Sequence, residues 1–215
     1  ASGTKGLSRM QLTIDALKNL ANSLKGHDGI VNVTLIGFES SASNKYSVNG
    51  LNSTNVLDLI KAIEKLSASG GTNYEGAFKE ALNWFNKQPT STNGKAFENV
   101  TYFLTDGDPT FSNNGNTTDY RDMKDAVDAF KGLSGKSTVH AIGIGTGVNE
   151  GYLKFFDNSS VTGSGTVSFP GDYWWSPNQT VTGSVGQPQI VNTAKDLAAA
   201  LQGGSSSTDP AAVGS

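Results

Sequence analysis

Val100-Thr101-Tyr102-Phe103-Leu104-Thr105-Asp106-Gly107-Asp108-Pro109 decides how this chain is read, because an apolar run stops there in a carboxylate and a glycine turn. A short apolar run bounded by a turn is the pattern of a strand buried on both faces of a parallel sheet. The C-terminal ends of such strands open into the crevice where ligands bind. Asp106 is therefore expected at a site.

Working outward, residues 138–145 (Thr-Val-His-Ala-Ile-Gly-Ile-Gly) form a second buried strand and residues 30–38 an earlier one, with 46–48 pairing beside it. Met10, Ile14, Leu17, Leu20, Ala21 and Leu24 recur at helical spacing, with Ser8 as N-cap and Gly26 closing the helix. Ser53 or Thr54 caps a second helix carrying Val56, Leu57, Ile60, Ile63 and Leu66. A third runs from about 73 to 87, stops before Pro89, and turns Tyr74, Phe78, Ala81, Leu82 and Phe85 inward. Further helices are expected over 119–133, 149–156 and 195–201, and a late strand over 189–191. Strict alternation of strand and helix implies right-handed crossovers and helices on both faces, so the expected fold is α/β: a doubly wound, mostly parallel sheet. Residues 163–186, rich in Gly, Ser, Pro and aromatics, are expected to form a long irregular excursion. The expected division is a domain over 1–202 and a Gly/Ser-rich linker over 203–215.

Composition narrows the function classes. A chain of 215 residues with 36% hydrophobic and 16% charged residues suits one large domain. A net charge of −3 without any run of Lys or Arg excludes attraction to nucleic acid or an anionic membrane. No apolar stretch approaches the roughly twenty residues that span a bilayer, and no basic region followed by an apolar core marks a cleavable signal at the start. The absence of Cys removes disulfides, thiolate metal sites and Cys nucleophiles. Abundant Gly, Ser, Thr and Asn with sparse Lys and Arg match surface-exposed bacterial proteins.

The second chemical element is Ser69-Gly70-Gly71-Thr72-Asn73-Tyr74-Glu75. Two glycines bring the backbone close, and Thr72 sits where a helix begins. Thr72 reads either as a helix cap or, with Asp106 from a neighbouring loop, as a hard oxygen ligand suited to Mg²⁺ or Ca²⁺ and not to Zn²⁺. Asp108 and Asp119 flank this loop, either tuning its charge or serving as a turn residue and a helix N-terminal acid. An enzyme using Asp106 for phosphoryl transfer would need a second aspartate and a phosphate-neutralising Lys on other strand ends. Asp108 could imitate the former, but Pro109 follows it and no Lys ends a strand, so the chain is read as a non-enzyme. His27 and His140 are expected to be structural. Asn32, Asn99, Asn116, Asn158 and Asn178 begin Asn-x-Ser/Thr triplets, yet glycosylation is not expected. Tyr173-Trp174-Trp175 is expected to pack locally, an interaction surface being the alternative.

Gly71-Thr72-Asn73 opening a helix, the strand ending Thr105-Asp106-Gly107-Asp108-Pro109 and the strand ending Gly143-Ile144-Gly145 together resemble the von Willebrand factor type A domain in order and spacing. Within that family Gly70 to Glu75, Phe103 to Pro109 and Asp196-Leu197-Ala198-Ala199-Ala200-Leu201 are similar to domains near the C-terminus of large bacterial RTX adhesins. The resemblance implies a metal-ion-dependent adhesion site, in which sheet-edge loops hold Mg²⁺ or Ca²⁺ and an open position takes an oxygen from a ligand. Thr72 and Asp106 match the family's metal-proximal residues; Asn73, Gly107 and Asp108 rim the site. It further implies an extracellular module at the bacterial cell surface, monomeric within a larger adhesin, binding a protein or glycan on a host or neighbouring cell. The tail would lead toward calcium-binding repeats, and a metal-free structural spacer is the alternative role. The family's first strand ends in Asp-x-Ser-x-Ser immediately before helix one, and no segment here matches it: Asp157-Asn158-Ser159-Ser160 lies in the wrong order and register. An upstream piece is accordingly expected to be missing, leaving an apolar slot with two open strand edges and weak cation affinity.

Overall fold

The structure, a computed structural model, describes residues 8–68, 70–115, 118–204 and 211–214. Helix α1 (Arg9–Lys25) is opened by the Ser8 hydroxyl, which accepts from Gln11 N at 3.1 Å, and ends at Gly26. Strands β1 (Asn32–Phe38) and β2 (Ala42–Asn49) follow as an antiparallel pair, then α2 (Val56–Glu64) and α3 (Tyr74–Asn86). The α2 N-cap is Asn55, without a side-chain cap bond, and not Ser53 or Thr54. Asn55 and Asn52 instead exchange side-chain bonds with the 52–55 backbone, which tightens the turn ahead of the helix. A small hairpin, β3 (Ser91–Thr92) with β4 (Lys95–Ala96), precedes the buried strand β5 (Val100–Thr105). Next come α4 (Asp119–Ser134), β6 (Thr138–Ile144), α5 (Glu150–Leu153) and a 3₁₀ turn, Lys154–Phe156. The chain closes with β7 (Gly163–Phe169), β8 (Gln179–Val185), β9 (Gln189–Val191), α6 (Ala194–Gly204) and β10 (Ala211–Gly214).

The six-stranded sheet runs β2-β1-β10-β5-β6-β9, parallel except for β2. One face carries α1, α2 and α6 over Val33, Leu35, Tyr102 and Leu104. The other carries α3, α4 and the 154–156 turn over Phe103, Val139 and Ala141. Side chains alternate between the two faces, and both faces are covered. That explains why β1 and β5 are buried at every position and read as apolar runs.

Two expectations are corrected here. The slot between β1 and β5 is not open: β10 lies in it, pairing Val33–Ile36 on one side and Val100–Phe103 on the other. Most of the expected linker lies outside the described residues, but its 211–214 portion is this strand. Second, 163–186 is no irregular excursion; β7 and β8 pair in continuous register from Gly163↔Val185 to Phe169↔Gln179. Its Ser and Thr positions face water, while Phe169, Val181 and Val185 face the core together with Gly165 and Gly183, which lie against Phe155. The alternation is real, but small polar residues dilute it.

His140 stacks on Tyr102 with centroids 5.6 Å apart. Asn32 is buried and accepts from Gly50 N at 3.0 Å, which leaves no room for a glycan there; Asn116 lies outside the described residues. Asp157 accepts from Ala141 N at 2.9 Å, and Asn158 accepts from Val139 N. These two side chains therefore substitute for a neighbouring strand along the first half of β6, before β9 begins to pair at Ile142.

Candidate functional site

The site is built from the core upward. Tyr74, at the start of α3, is held among rings: 4.8 Å from Phe103 and 5.2 Å from Phe156, both edge to face. So fixed, its hydroxyl donates to Gly107 O, to which Thr105 Oγ1 also donates at 2.9 Å. The 105–107 turn is thereby pinned at the end of β5, with Asp106 exposed at its apex. Burial pushes the Tyr74 hydroxyl far above its ordinary pKa; the bond with Thr105 lowers it, and the charges of Asp108 and Asp106 raise it further. Tyr74 is thus a neutral donor at any physiological pH.

The opposite wall comes from residues 70–73. Gly71 lies against the Phe111 ring so closely that a β-carbon there would sit 2.0 Å from the ring edge, which is why glycine is required. Asn73 is 1% exposed and does the capping: its Oδ1 accepts from Gly76 N at 2.9 Å while its Nδ2 donates to Ser40 O and Asn113 Oδ1. Glu75 secures the same loop, accepting from Asn113 N at 2.7 Å and pairing with Lys79 at 2.7 Å. Thr72 is therefore not the helix cap. Its backbone is bound by Thr110 and Phe111, and its hydroxyl lies 3.9 Å from the position a β-carbon would take on Gly107. Among the described residues, neither the Thr72 hydroxyl nor the Asp106 carboxylate has a hydrogen-bond partner.

Both face a solvent-open cleft of ≈ 100 Å³ whose lining includes Arg9, Glu39, Thr72, Thr105 and Asp106. Of the expected rim residues, Gly107 belongs to the pinned turn. Asp108 is engaged beside it, accepting from Asn149 N at 2.7 Å ahead of α5, and Asn73 supports the rim from beneath. Arg9 was not singled out from the sequence. Its guanidinium lies across Gly145, whose β-carbon position would be 2.7 Å from Arg9 Nε. The available signal was a cation in the first turn of α1, where there is no acidic residue and the helix dipole disfavours positive charge.

A divalent cation is the group this arrangement invites. Thr72 and Asp106 are hard oxygen donors on adjacent loops. Among the described residues, no three His, Cys, Asp or Glu side chains gather at ligand spacing. Two side-chain oxygens with solvent access fit a cation that keeps most of its water, as Mg²⁺ does.

A mostly parallel sheet wrapped by helices on both faces, with an aspartate at a central strand end opposite a threonine in one cleft, defines an α/β domain whose candidate site lies at the C-terminal edge of the sheet. The chain belongs to the von Willebrand factor type A domain family, whose family model matches residues 1–172. Among solved structures it resembles a von Willebrand factor type A protein from Catenulispora acidiphila (15% identity, TM-score 0.61), covering 91% of this chain and 37% of that one. The pilus adhesin SpaC from Lactobacillus rhamnosus GG is similar at 17% identity and TM-score 0.62, covering 90% and 27%. Proximal thread matrix protein 1 from the mussel byssus, with a zinc-occupied MIDAS motif, is similar at 18% identity and TM-score 0.55, covering 90% and 41%. At these identities the likeness is one of fold, and the chain spans well under half of each of these proteins. No curated protein matches the chain. No described helix is long and apolar enough to cross a membrane.

Proposed function

We propose that this chain is an extracellular, non-enzymatic adhesion module of a bacterial RTX-type adhesin, binding its ligand through a cation held by Thr72 and Asp106. The observation that carries the reading is the release of Thr72 from capping: Asn73 takes that task, so the threonine hydroxyl is left facing the cleft that Asp106 overlooks. When bound there, a divalent cation supplies an open coordination position for a carboxylate or similar oxygen of a protein or glycan ligand. The chain's own residues hold the geometry. Tyr74 and Thr105 keep the Asp106 turn from relaxing, and Glu75 with Asn73 keeps the facing loop in place. Adhesion is also the role printed for the Lactobacillus relative, and the mussel relative holds zinc in its own motif.

Isothermal titration with Mg²⁺ and Ca²⁺ tests this. Saturable binding that Asp106→Ala abolishes and Thr72→Val weakens supports the cation site. A folded sample that binds neither ion points instead to a metal-free spacer, a reading favoured by the Arg9 charge in the cleft.

A further inference from the structure

The hairpin of β7 and β8 ends in a tip, residues 170–178, that contributes nothing to either core cluster. Its base is anchored. Phe169, 5% exposed, packs with Tyr120 at 6.2 Å and Tyr152 at 5.8 Å. Beyond it, Tyr173, Trp174 and Trp175 are 61%, 93% and 65% exposed, so the expected local packing is confined to the three rings themselves. They pack on one another instead. The Tyr173 and Trp175 rings are stacked at 4.6 Å and 7°, and Trp174 stands at 89° to Trp175 with centroids 5.8 Å apart.

This arrangement is held before any ligand arrives. Ser176 N donates to Tyr173 O at 2.9 Å. Gly171 lies so close to the returning half of the tip that a β-carbon would meet Ser176 Cβ at 2.5 Å and Pro177 O at 2.6 Å. A tip with little freedom left to lose binds at lower entropic cost. The other exposed large apolar side chains among the described residues, Ile30, Leu57 and Val161, are single aliphatics in other segments.

We infer that the Tyr173-Trp174-Trp175 tip is a carbohydrate-binding platform for hexopyranose glycans, independent of the cation cleft. A pyranose ring offers a face of C–H groups made electropositive by its oxygens, which matches the negative face of an indole or phenol. Its hydroxyls lie around the edge, and the residues flanking the rings are hydrogen-bonding ones: Asp172, Ser176, Asn178 and Gln179. An apolar plate with a few polar groups beside it is the composition of small-ligand sites. A stable protein partner needs about 800 Å² per side, more than three rings on a loop tip provide. Residues 163–186 contain no Lys or Arg and carry Asp172, so the tip lacks the basic residues that draw a protein to anionic lipid. Tyr152, packed on Phe169, lies in α5, and Asn149 N ahead of that helix donates to Asp108 at 2.7 Å. The hairpin base is thereby linked through α5 to the sheet edge that bears Asp106.

Tryptophan fluorescence separates this site from the rest, because the third tryptophan, Trp84, is only 7% exposed. The 215-residue chain would be titrated in EDTA with cellohexaose, chitohexaose, maltohexaose, mannohexaose, a galactan oligosaccharide and fucosyl-lactose. Saturable binding to at least one is expected, with Trp174→Ala and Trp175→Ala each weakening it about tenfold or more and Trp174→Phe retaining most of it. The exposure of both residues leaves the fold unaffected, which circular dichroism checks. Binding of none, binding unchanged in the alanine variants, or tryptophan-dependent binding to phosphatidylcholine vesicles instead would each overturn the inference. EDTA keeps the outcome separate from that of the Asp106 site.

Discussion

Arg9 and Asp106 set opposite charges in one small cleft, and on the proposed reading their balance sets how well it holds a cation. A guanidinium in the same cleft opposes a divalent ion by repulsion, at close range about 1 kcal/mol even in high dielectric. Arg9→Gln is therefore expected to tighten Mg²⁺ binding about fivefold or more, read in the same titration as Asp106→Ala. A looser affinity would show that Arg9 supports the site by packing. Tyr102 offers a second single-residue test. Its hydroxyl is buried without a partner among the described residues, and burial raises its pKa. Removing an unpaired buried hydroxyl relieves its desolvation cost, so Tyr102→Phe should stabilise the fold by about 1 kcal/mol, measured as a higher urea midpoint at unchanged slope. At this scale the sequence was only partly legible. The places of Asp106 after β5 and of Thr72 ahead of α3 could be read because a strand end and a glycine turn announce them. That Asn73 and not Thr72 caps α3 could not, since both residue types cap well and the choice rests on contacts with Ser40 and Asn113 about forty positions or fewer away.

Among the elements, β10 has the largest consequence for its length. Its four residues pair along both sides, so it closes the sheet between β1 and β5. Ending the chain at Gly204 would leave the facing edges of Val33–Ile36 and Val100–Phe103 unpaired in the middle of the sheet. At about 0.5–1.5 kcal/mol per hydrogen bond, the loss should reach about 3 kcal/mol or more, together with increased association through the opened edges. Urea unfolding and sedimentation of the shortened chain check both; an unchanged midpoint would show that the strand contributes nothing to stability. A tail poor in large apolar residues reads as a linker because burial in a sheet centre normally requires a continuous apolar run. Here backbone pairing with two preformed edges supplies what side chains do not. The β7–β8 hairpin escaped for a related reason: its alternation is carried by Val167, Phe169, Val181 and Val185 amid Gly, Ser and Thr, which score as loop formers.

For the molecule as a whole, the response to pH follows from His140. Burial lowers its pKa below the ordinary 6.5, with the charge of Asp157 acting in the opposite direction. As pH falls, the unfolded chain takes up this proton before the folded one, so the folded state loses stability progressively below about pH 6.5. Urea midpoints should therefore decline from pH 7 to pH 5, and His140→Gln should flatten that decline. An identical slope in the variant would assign the effect to the carboxylates.

The alternation of apolar runs with amphipathic helices determined by itself that the chain would form a doubly wound sheet and that Asp106 would stand at its C-terminal edge. Those features are local, since period and turn chemistry are properties of neighbouring residues. Only the tertiary structure decided which strand stands between β1 and β5, that Arg9 shares the cleft with Asp106, and that three aromatic rings stand in water on an anchored hairpin. Each depends on contacts between segments far apart in sequence, where packing and paired backbone edges outweigh local propensity.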